Sequence, residues 1–101
     1  MTGIQRIAAE RQRQIEDEGF TTEKDRNYNS DDLLRAAICY AFVSTTSDVN
    51  ASRADLPYGF WPWGEQWWKP SDAIRNLEKA GALIAAEIDR RLAEDQRKAN
   101  P

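Results

Sequence analysis

Histidine is absent from the 101 residues and cysteine occurs once. The first absence removes imidazole general bases and His-ligated zinc, and the second removes an internal disulfide and every paired-cysteine metal knuckle. Long apolar runs are missing as well. Nothing approaches the roughly 18–20 residues of a membrane span, and Met1–Arg6 has no signal-peptide core, so a cytoplasmic protein without a membrane partner is expected. Glycines at 3, 19, 59, 64 and 81 form neither a dinucleotide fingerprint nor a phosphate loop. Serine catalysis without histidine would need Lys24, Lys69, Lys79, Lys98 or a carboxylate as base, and no motif pairs one of them with a serine. Fourteen Lys and Arg against seventeen Asp and Glu leave a net charge of -3, which argues against wrapping nucleic acid by bulk electrostatics.

The residues that are present describe one helical domain over 1–101. Apolar residues make up 41% and charged residues 31%, with a mean hydropathy of -0.77, the balance of a small core under a charged surface. Strand-length alternation and internal repeats are not visible, and three helices are expected, at about 3–18, 31–44 and 71–96. In the first, Thr2 and Gln5 have capping-box spacing and Gly19 is a natural left-handed stop. Ile4, Ala8 and Ile15 share a stripe with Ile7 beside it, interrupted by Arg11 in its middle and by Glu18 seven residues on. Arg11 either lays its stem over the core with its head in water, or grips a carboxylate or phosphate in a pocket.

Residues 20–29 form a polar connector with Phe20 and Tyr28 tucked inward. Ser30 offers a cap to the second helix, with Asp31 and Asp32 at the positive end of its dipole. Between Leu33 and Val43 the only charge is Arg35, so this helix is expected to be central and Cys39 to be a packed thiol. A flexible loop is expected over 45–60. The third helix starts at Pro70 or Ser71 and presents Ile74, Leu77, Gly81, Ile84, Ala85, Ile88 and Leu92 on one face. Gly81 there permits a close approach at a propensity cost of about 1 kcal/mol. Ala80–Ala86 is apolar around most of its circumference, which points to a second covered side and to a homo-oligomer. Residues 97–101 are expected to fray.

All four tryptophans fall between Trp61 and Trp68, in a stretch broken by Pro57, Pro62 and Pro70. Proline disfavours helix in its predecessor, so an irregular aromatic cap is expected. Trp61, Trp63, Trp67 and Trp68 have three destinations: a core closed by large side chains, a ring-stacking site neutralised by Lys69, Arg11 or Lys79, or an interface anchor. Carboxylates are the remaining route to catalysis, through Mg²⁺. No E-x-x-E or E-x-x-D pair occurs, so a metal site would need Glu10, Glu18 and Glu87 to converge from separate helices. Basic faces at Arg6, Arg11 and Arg13 or at Arg90, Arg91, Arg97 and Lys98 are short and flanked by acids, which places DNA binding third.

Four segments carry a resemblance: ERQRQIEDEGFTTEKD at 10–25, AAICYA at 36–41, WPWGEQWWKP at 61–70 and LEKAGALIAAEIDR at 77–90. Together, and in this order, they resemble a widespread group of short, largely uncharacterised proteins of tailed bacteriophages and prophages. That group commonly carries tryptophan and a histidine-aspartate pair after the EG, where Phe20 and Lys24-Asp25 stand here. A narrower similarity of the R…EGF…D portion to the ryanodine-receptor-type repeat carries no weight beside it. The phage resemblance implies an accessory protein of the host-cell cytoplasm that acts by binding, occluding a host protein or sequestering a signalling nucleotide as a counter-defence.

Binding therefore ranks above catalysis, with no cofactor called for. The expected partner is a host protein or an anionic, nucleotide-like ligand, held by Arg11, Glu18, Trp61, Trp63, Trp67, Trp68, Lys69 and Lys79. A divergent Mg²⁺-dependent nucleotide pyrophosphohydrolase using Glu10, Glu18 and Glu87 is the alternative.

Overall fold

The structure, a computed structural model, describes residues 1–19, 31–45 and 60–99. It contains three helices there, α1 (Gly3–Glu18), α2 (Asp32–Val43) and α3 (Ala73–Ala99), and a single 3-10 turn at Glu65–Trp67. No strand occurs among the described residues, so the fold is all-α as expected. The connector at 20–30, including Ser30, and the loop at 46–59 lie outside the described residues.

Local chemistry sets the helix ends. Thr2 Oγ1 accepts the Gln5 N–H at 3.2 Å while Gln5 Oε1 accepts the Thr2 N–H at 2.8 Å, a closed capping box. Gly19 ends α1 with φ of 71°, where a side chain would be strained. Asp31 is the N-cap of α2 and Asp32 lies in its first turn, toward the positive end of the dipole. At α3, Asp72 Oδ1 accepts the Arg75 N–H at 2.9 Å, and Asn76 exchanges hydrogen bonds with the Ser71 backbone at 2.7 and 3.0 Å. These bonds start the helix two residues later than proline and serine propensity suggested. It then runs on to Ala99, three residues past the expected end, with Arg97 and Lys98 favourably placed in its basic last turn.

The packing corrects three expectations. α3, rather than α2, is the central element, because it packs against both other helices. α2 buries Leu33, Ala36, Ala37, Cys39, Tyr40 and Val43 but leaves Ile38 and Phe42 nearly half exposed. Cys39 is a packed thiol, pushed up to about 11 by burial, with the Arg35 charge pulling the other way.

α3 also offers the core its other face. Asn76, Ala80, Ala82, Leu83, Ala86 and Glu87 are buried, whereas Ile74, Leu77, Ile84, Ile88 and Leu92 are between 45% and 63% exposed. The reason is volume: Ala80 and Ala86 share one core with Ala36 and Ala37 of α2, and small side chains there let the two helices approach closely, which large aliphatics would prevent.

The third correction is on α1, where Ile4 is 83% exposed and Glu10, Arg11 and Gln14 are buried in place of the apolar stripe. An ion network described below compensates the Glu10 charge on that face.

Gly81 is a close-approach point, as its position suggested, but a side chain fills it. A Cβ there would lie 2.6 Å from Ile7 Cδ1 and 2.8 Å from Ile7 Cγ1. Gly81→Ala therefore sets a helix-propensity gain of about 1 kcal/mol against an overpacking cost of about 1–3 kcal/mol. A net loss of up to about 2 kcal/mol is expected in urea unfolding. In an Ile7→Ala background the same change should become neutral or stabilising. Equal losses in both backgrounds would show that Ile7 is not what Gly81 accommodates.

Candidate functional site

The aromatic segment folds onto α2 through Tyr40. The Trp68 ring lies 4.7 Å from the Tyr40 ring and the Trp61 ring packs edge-on at 5.8 Å. Trp61 also meets Trp68 at 4.8 Å and Trp63 edge-on at 5.5 Å, geometries suited to the charge distribution of aromatic faces and edges. Two hydrogen bonds fix the segment: Trp61 Nε1 donates to the Gly64 carbonyl at 3.1 Å, and the Lys69 N–H donates to Tyr40 Oη at 3.2 Å. Trp61 and Trp68 thereby belong to the core, at 6% and 9% exposed, while Trp67 is 55% exposed. Burial pushes the Tyr40 hydroxyl up to about 12, so it stays a neutral phenol.

Opposite this aromatic wall lies the polar face of α1, held to α3 by an alternating chain of charges. Arg6 pairs with Glu78 at 3.3 Å, Glu78 with Arg75 at 2.9 Å, and Arg75 with Glu10. Glu10 pairs in turn with Arg13 at 2.7 Å, and Arg13 with Glu18 at 3.2 Å. Burial pushes the Glu10 carboxyl upward, but the hydrogen bonds and charges of Arg13 and Arg75 outweigh it and hold the group below its ordinary value. The chain explains how so polar a face can be buried: each charge it contains has an opposite neighbour.

Between wall and chain is a recess of about 330 Å³, lined by Glu10, Arg13, Gln14 and Glu18 of α1, by Tyr40, by Trp61, Trp63, Gly64, Trp67 and Lys69 of the aromatic segment, and by Lys79 and Leu83 of α3. That is within the roughly 300–1,000 Å³ of small-molecule sites. Its two lysines differ from its arginine. Arg13 is taken by two carboxylates, whereas neither Lys69 nor Lys79 has a carboxylate partner among the described residues. Lys79 Nζ instead donates to the Lys69 carbonyl at 2.6 Å and lies 5.4 Å from the centre of the Tyr40 ring. Lys69 Nζ lies 5.8 Å from the centre of the Trp67 ring. Burial, with repulsion from Arg75 and Arg13, lowers the Lys79 pKa and outweighs the opposing attraction of Glu10 and Glu18.

Gln14 adds an acceptor. Its Nε2 donates to Glu10 Oε2 at 3.3 Å, which orients the amide, and its Oε1 is buried with no hydrogen-bond partner.

Of the residues singled out from the sequence, Glu18, Trp61, Trp63, Trp67, Lys69 and Lys79 line this one recess. Arg11 and Trp68 do not. Arg11 sits 8% exposed with Nη2 at 3.5 Å from Asp89 of α3, so its head is neither in water nor in the recess. Trp68 stacks behind the lining as core. The metal set does not assemble: Glu10 and Glu18 meet through Arg13, while Glu87 is held by Arg90 at 2.8 Å and Arg91 at 2.6 Å and lines no part of the recess. No group of three carboxylate or thiol side chains among the described residues is placed to hold a metal ion.

Glu10, Arg13, Gln14 and Tyr40 were not assigned to this ligand by sequence, which named Glu10 only for a metal and Arg13 only for a basic face. The i, i+3 and i, i+4 spacing of Glu10 with Arg13 and Gln14 was the available signal for the first three, and it has the same form as an ordinary solvated helix face. No helix among the described residues is long and apolar enough to cross a membrane. Comparison with family models, with curated proteins and with solved structures finds no match to this chain.

Proposed function

We propose that this protein is a small helical binding module that takes an anionic, ring-bearing ligand of nucleotide type in the recess between α1 and the aromatic segment, without turning it over. The observation that carries this reading is the pair of ammonium groups, Lys69 and Lys79, unmatched by carboxylates among the described residues and set against an aromatic wall. A planar ring stacks on the indoles of Trp63 and Trp67, worth about 1–3 kcal/mol per ring, and an attached phosphate meets the two lysines. Gln14 Oε1 then receives a ring or amino N–H. In the phage setting that the sequence resembles, such a module sequesters a signalling nucleotide in the host cytoplasm.

Catalysis by carboxylate-bound Mg²⁺ is disfavoured because guanidinium groups hold Glu10 and Glu87 on two sides each. DNA binding is disfavoured for the converse reason, since Arg6, Arg13, Arg90, Arg91 and Arg97 each face a carboxylate. The half-exposed Trp67 favours one second reading, an anchor for a host protein.

The test is a titration of linear and cyclic nucleotides followed by tryptophan emission. At least one is expected to change the emission, with affinity reduced about ten-fold or more in Lys79→Ala, an anion contact of roughly 1.5–3 kcal/mol. A flat response across the panel from a folded protein would leave the host-protein reading. Turnover in Mg²⁺ that Glu87→Ala abolishes would replace both with the hydrolase.

A further inference from the structure

The corner of the recess where Tyr40, Lys69 and Lys79 meet holds a surplus of donors. The Lys69 N–H donates to Tyr40 Oη at 3.2 Å, and the carbonyl of the same residue accepts from Lys79 Nζ at 2.6 Å. One backbone residue thus ties the phenol of α2 to the ammonium of α3, whose Nζ also lies 5.4 Å from the centre of the Tyr40 ring. Both oxygens of this corner already accept. Its donors are not used up. A phenol carries one O–H, and that of Tyr40 donates to nothing among the described residues, although the residue is only 6% exposed. An ammonium carries three N–H bonds, of which Lys79 uses one on the Lys69 carbonyl.

Buried hydroxyls are as a rule hydrogen-bonded. Tyr40 lines the recess, so the missing acceptor belongs to what fills it. We infer, resting on the ligand reading above, that Tyr40 Oη–H and Lys79 Nζ together seat the phosphate of the ligand, and that Tyr40 distinguishes a phosphorylated ring from a bare one.

The donor set chooses the group. A hydroxyl and an ammonium side by side call for an acceptor with several oxygens and a negative charge, which a ring nitrogen or a lone carbonyl does not supply. A tetrahedral phosphate takes the O–H on one oxygen and the ammonium on another, and hydrogen bonds of this charge-assisted kind are roughly twice as strong as neutral ones. The Lys69 ammonium, 5.8 Å from the centre of the Trp67 ring, adds positive charge from the aromatic side. Burial pushes the Tyr40 pKa up to about 12, so the phenol keeps the proton it has to donate. The Trp61 and Trp68 rings pack on it at 5.8 and 4.7 Å, which fixes the hydroxyl before a ligand arrives.

The test compares Tyr40→Phe with the wild type, using a mononucleotide, its unphosphorylated nucleoside, and inorganic phosphate as competitor. Phenylalanine keeps the ring and removes the O–H, and near-ultraviolet circular dichroism checks that the tryptophan cluster is kept. Nucleotide affinity is expected to fall about ten-fold or more and phosphate competition to weaken in proportion, while nucleoside affinity changes by less than about two-fold. A nucleotide that binds both proteins alike overturns the phosphate seat and leaves the recess as a ring site. Equal weakening of nucleotide and nucleoside also overturns it, because Tyr40 then acts through packing alone.

Since Tyr40→Phe also takes the acceptor from the Lys69 N–H, a second measurement uses the wild type alone. A phenol that donates to phosphate becomes a better acceptor, so the Lys69 amide resonance should shift with nucleotide and with inorganic phosphate but not with nucleoside. A Lys69 amide moved as far by the nucleoside overturns the proposal. A wild type whose tryptophan emission and amide resonances answer to no nucleotide removes the ligand reading of the recess itself, and the seat with it.

Discussion

Trp61→Ala is expected to cost about 3–5 kcal/mol, the usual penalty for truncating a buried indole. Trp61 is 6% exposed and meets three other rings, Tyr40, Trp63 and Trp68, while its N–H holds the Gly64 carbonyl. Alanine there removes those edge contacts, opens a cavity that the surrounding rings fill poorly, and frees the turn that carries Trp67. Against a total stability of about 5–15 kcal/mol for a domain of this size, the loss is a fifth or more. Urea unfolding followed at 222 nm reads it as a large drop in midpoint. Trp67→Ala is the contrast: that ring is 55% exposed, and its loss should cost below about 1 kcal/mol. Equal costs at the two positions would mean that Trp61 does not anchor the segment.

Glu10→Gln is the second large effect, expected at about 2–4 kcal/mol at neutral pH. The Glu10 carboxylate is 1% exposed and takes two hydrogen bonds from Arg13, at 2.8 and 2.7 Å, as well as the Arg75 contact. Glutamine keeps the shape but presents an amide donor to the guanidinium groups and leaves two cations side by side. Removing one partner of a buried pair costs about 3–5 kcal/mol, and the lower figure applies because Arg13 and Arg75 are 35% and 32% exposed and water relieves part of the imbalance.

The same carboxylate sets an acid limb. Its folded pKa lies below the ordinary 4.5, so the unfolded chain binds the proton more readily. The stabilisation is therefore fully present above about pH 4.5 and is lost as pH falls from there through the folded value. Glu87 behaves alike: burial raises its pKa, and the bonds and charges of Arg90 and Arg91 more than reverse that. Stability measured from pH 7 to pH 3 should fall steeply below 4.5 in the wild type and less steeply in Glu10→Gln. Parallel curves would show that Glu10 does not contribute to the limb.

The helices were legible because their signals are local. Thr2 with Gln5, Gly19 and the first-turn Asp32 each act within a turn of their own position, and each is used as it reads. Which face of a helix turns inward was less legible, because α1 and α3 each have two faces capable of burial. On α3 the larger aliphatics outrank the alanines in hydrophobicity, yet the alanines permit close approach to α2. On α1 the charged face wins only because Arg75 and Glu78 of α3 arrive to match it, and no spacing within residues 3–18 announces partners more than sixty residues away.

The candidate site divides in the same way. The aromatic wall and its lysines were visible as composition, a tryptophan cluster next to Lys69. The floor was not, because Glu10, Arg13 and Gln14 look like solvated helix surface until α3 is laid against them. Arg11 shows the cost of reading one helix alone. It stands beside Glu10 in sequence, but 100° of rotation sends it to Asp89 and away from the recess.

The most direct measurement of the central claim is the set of indole N–H resonances in a nitrogen-15 spectrum as a mononucleotide is added. Trp63 and Trp67 line the recess and Trp68 stacks behind it, so the first two should shift with a common saturation curve, Trp61 less, and Trp68 least. Indoles that stay in place throughout, or a Trp68 that moves while Trp63 and Trp67 do not, would contradict a ligand site between the aromatic segment and α1.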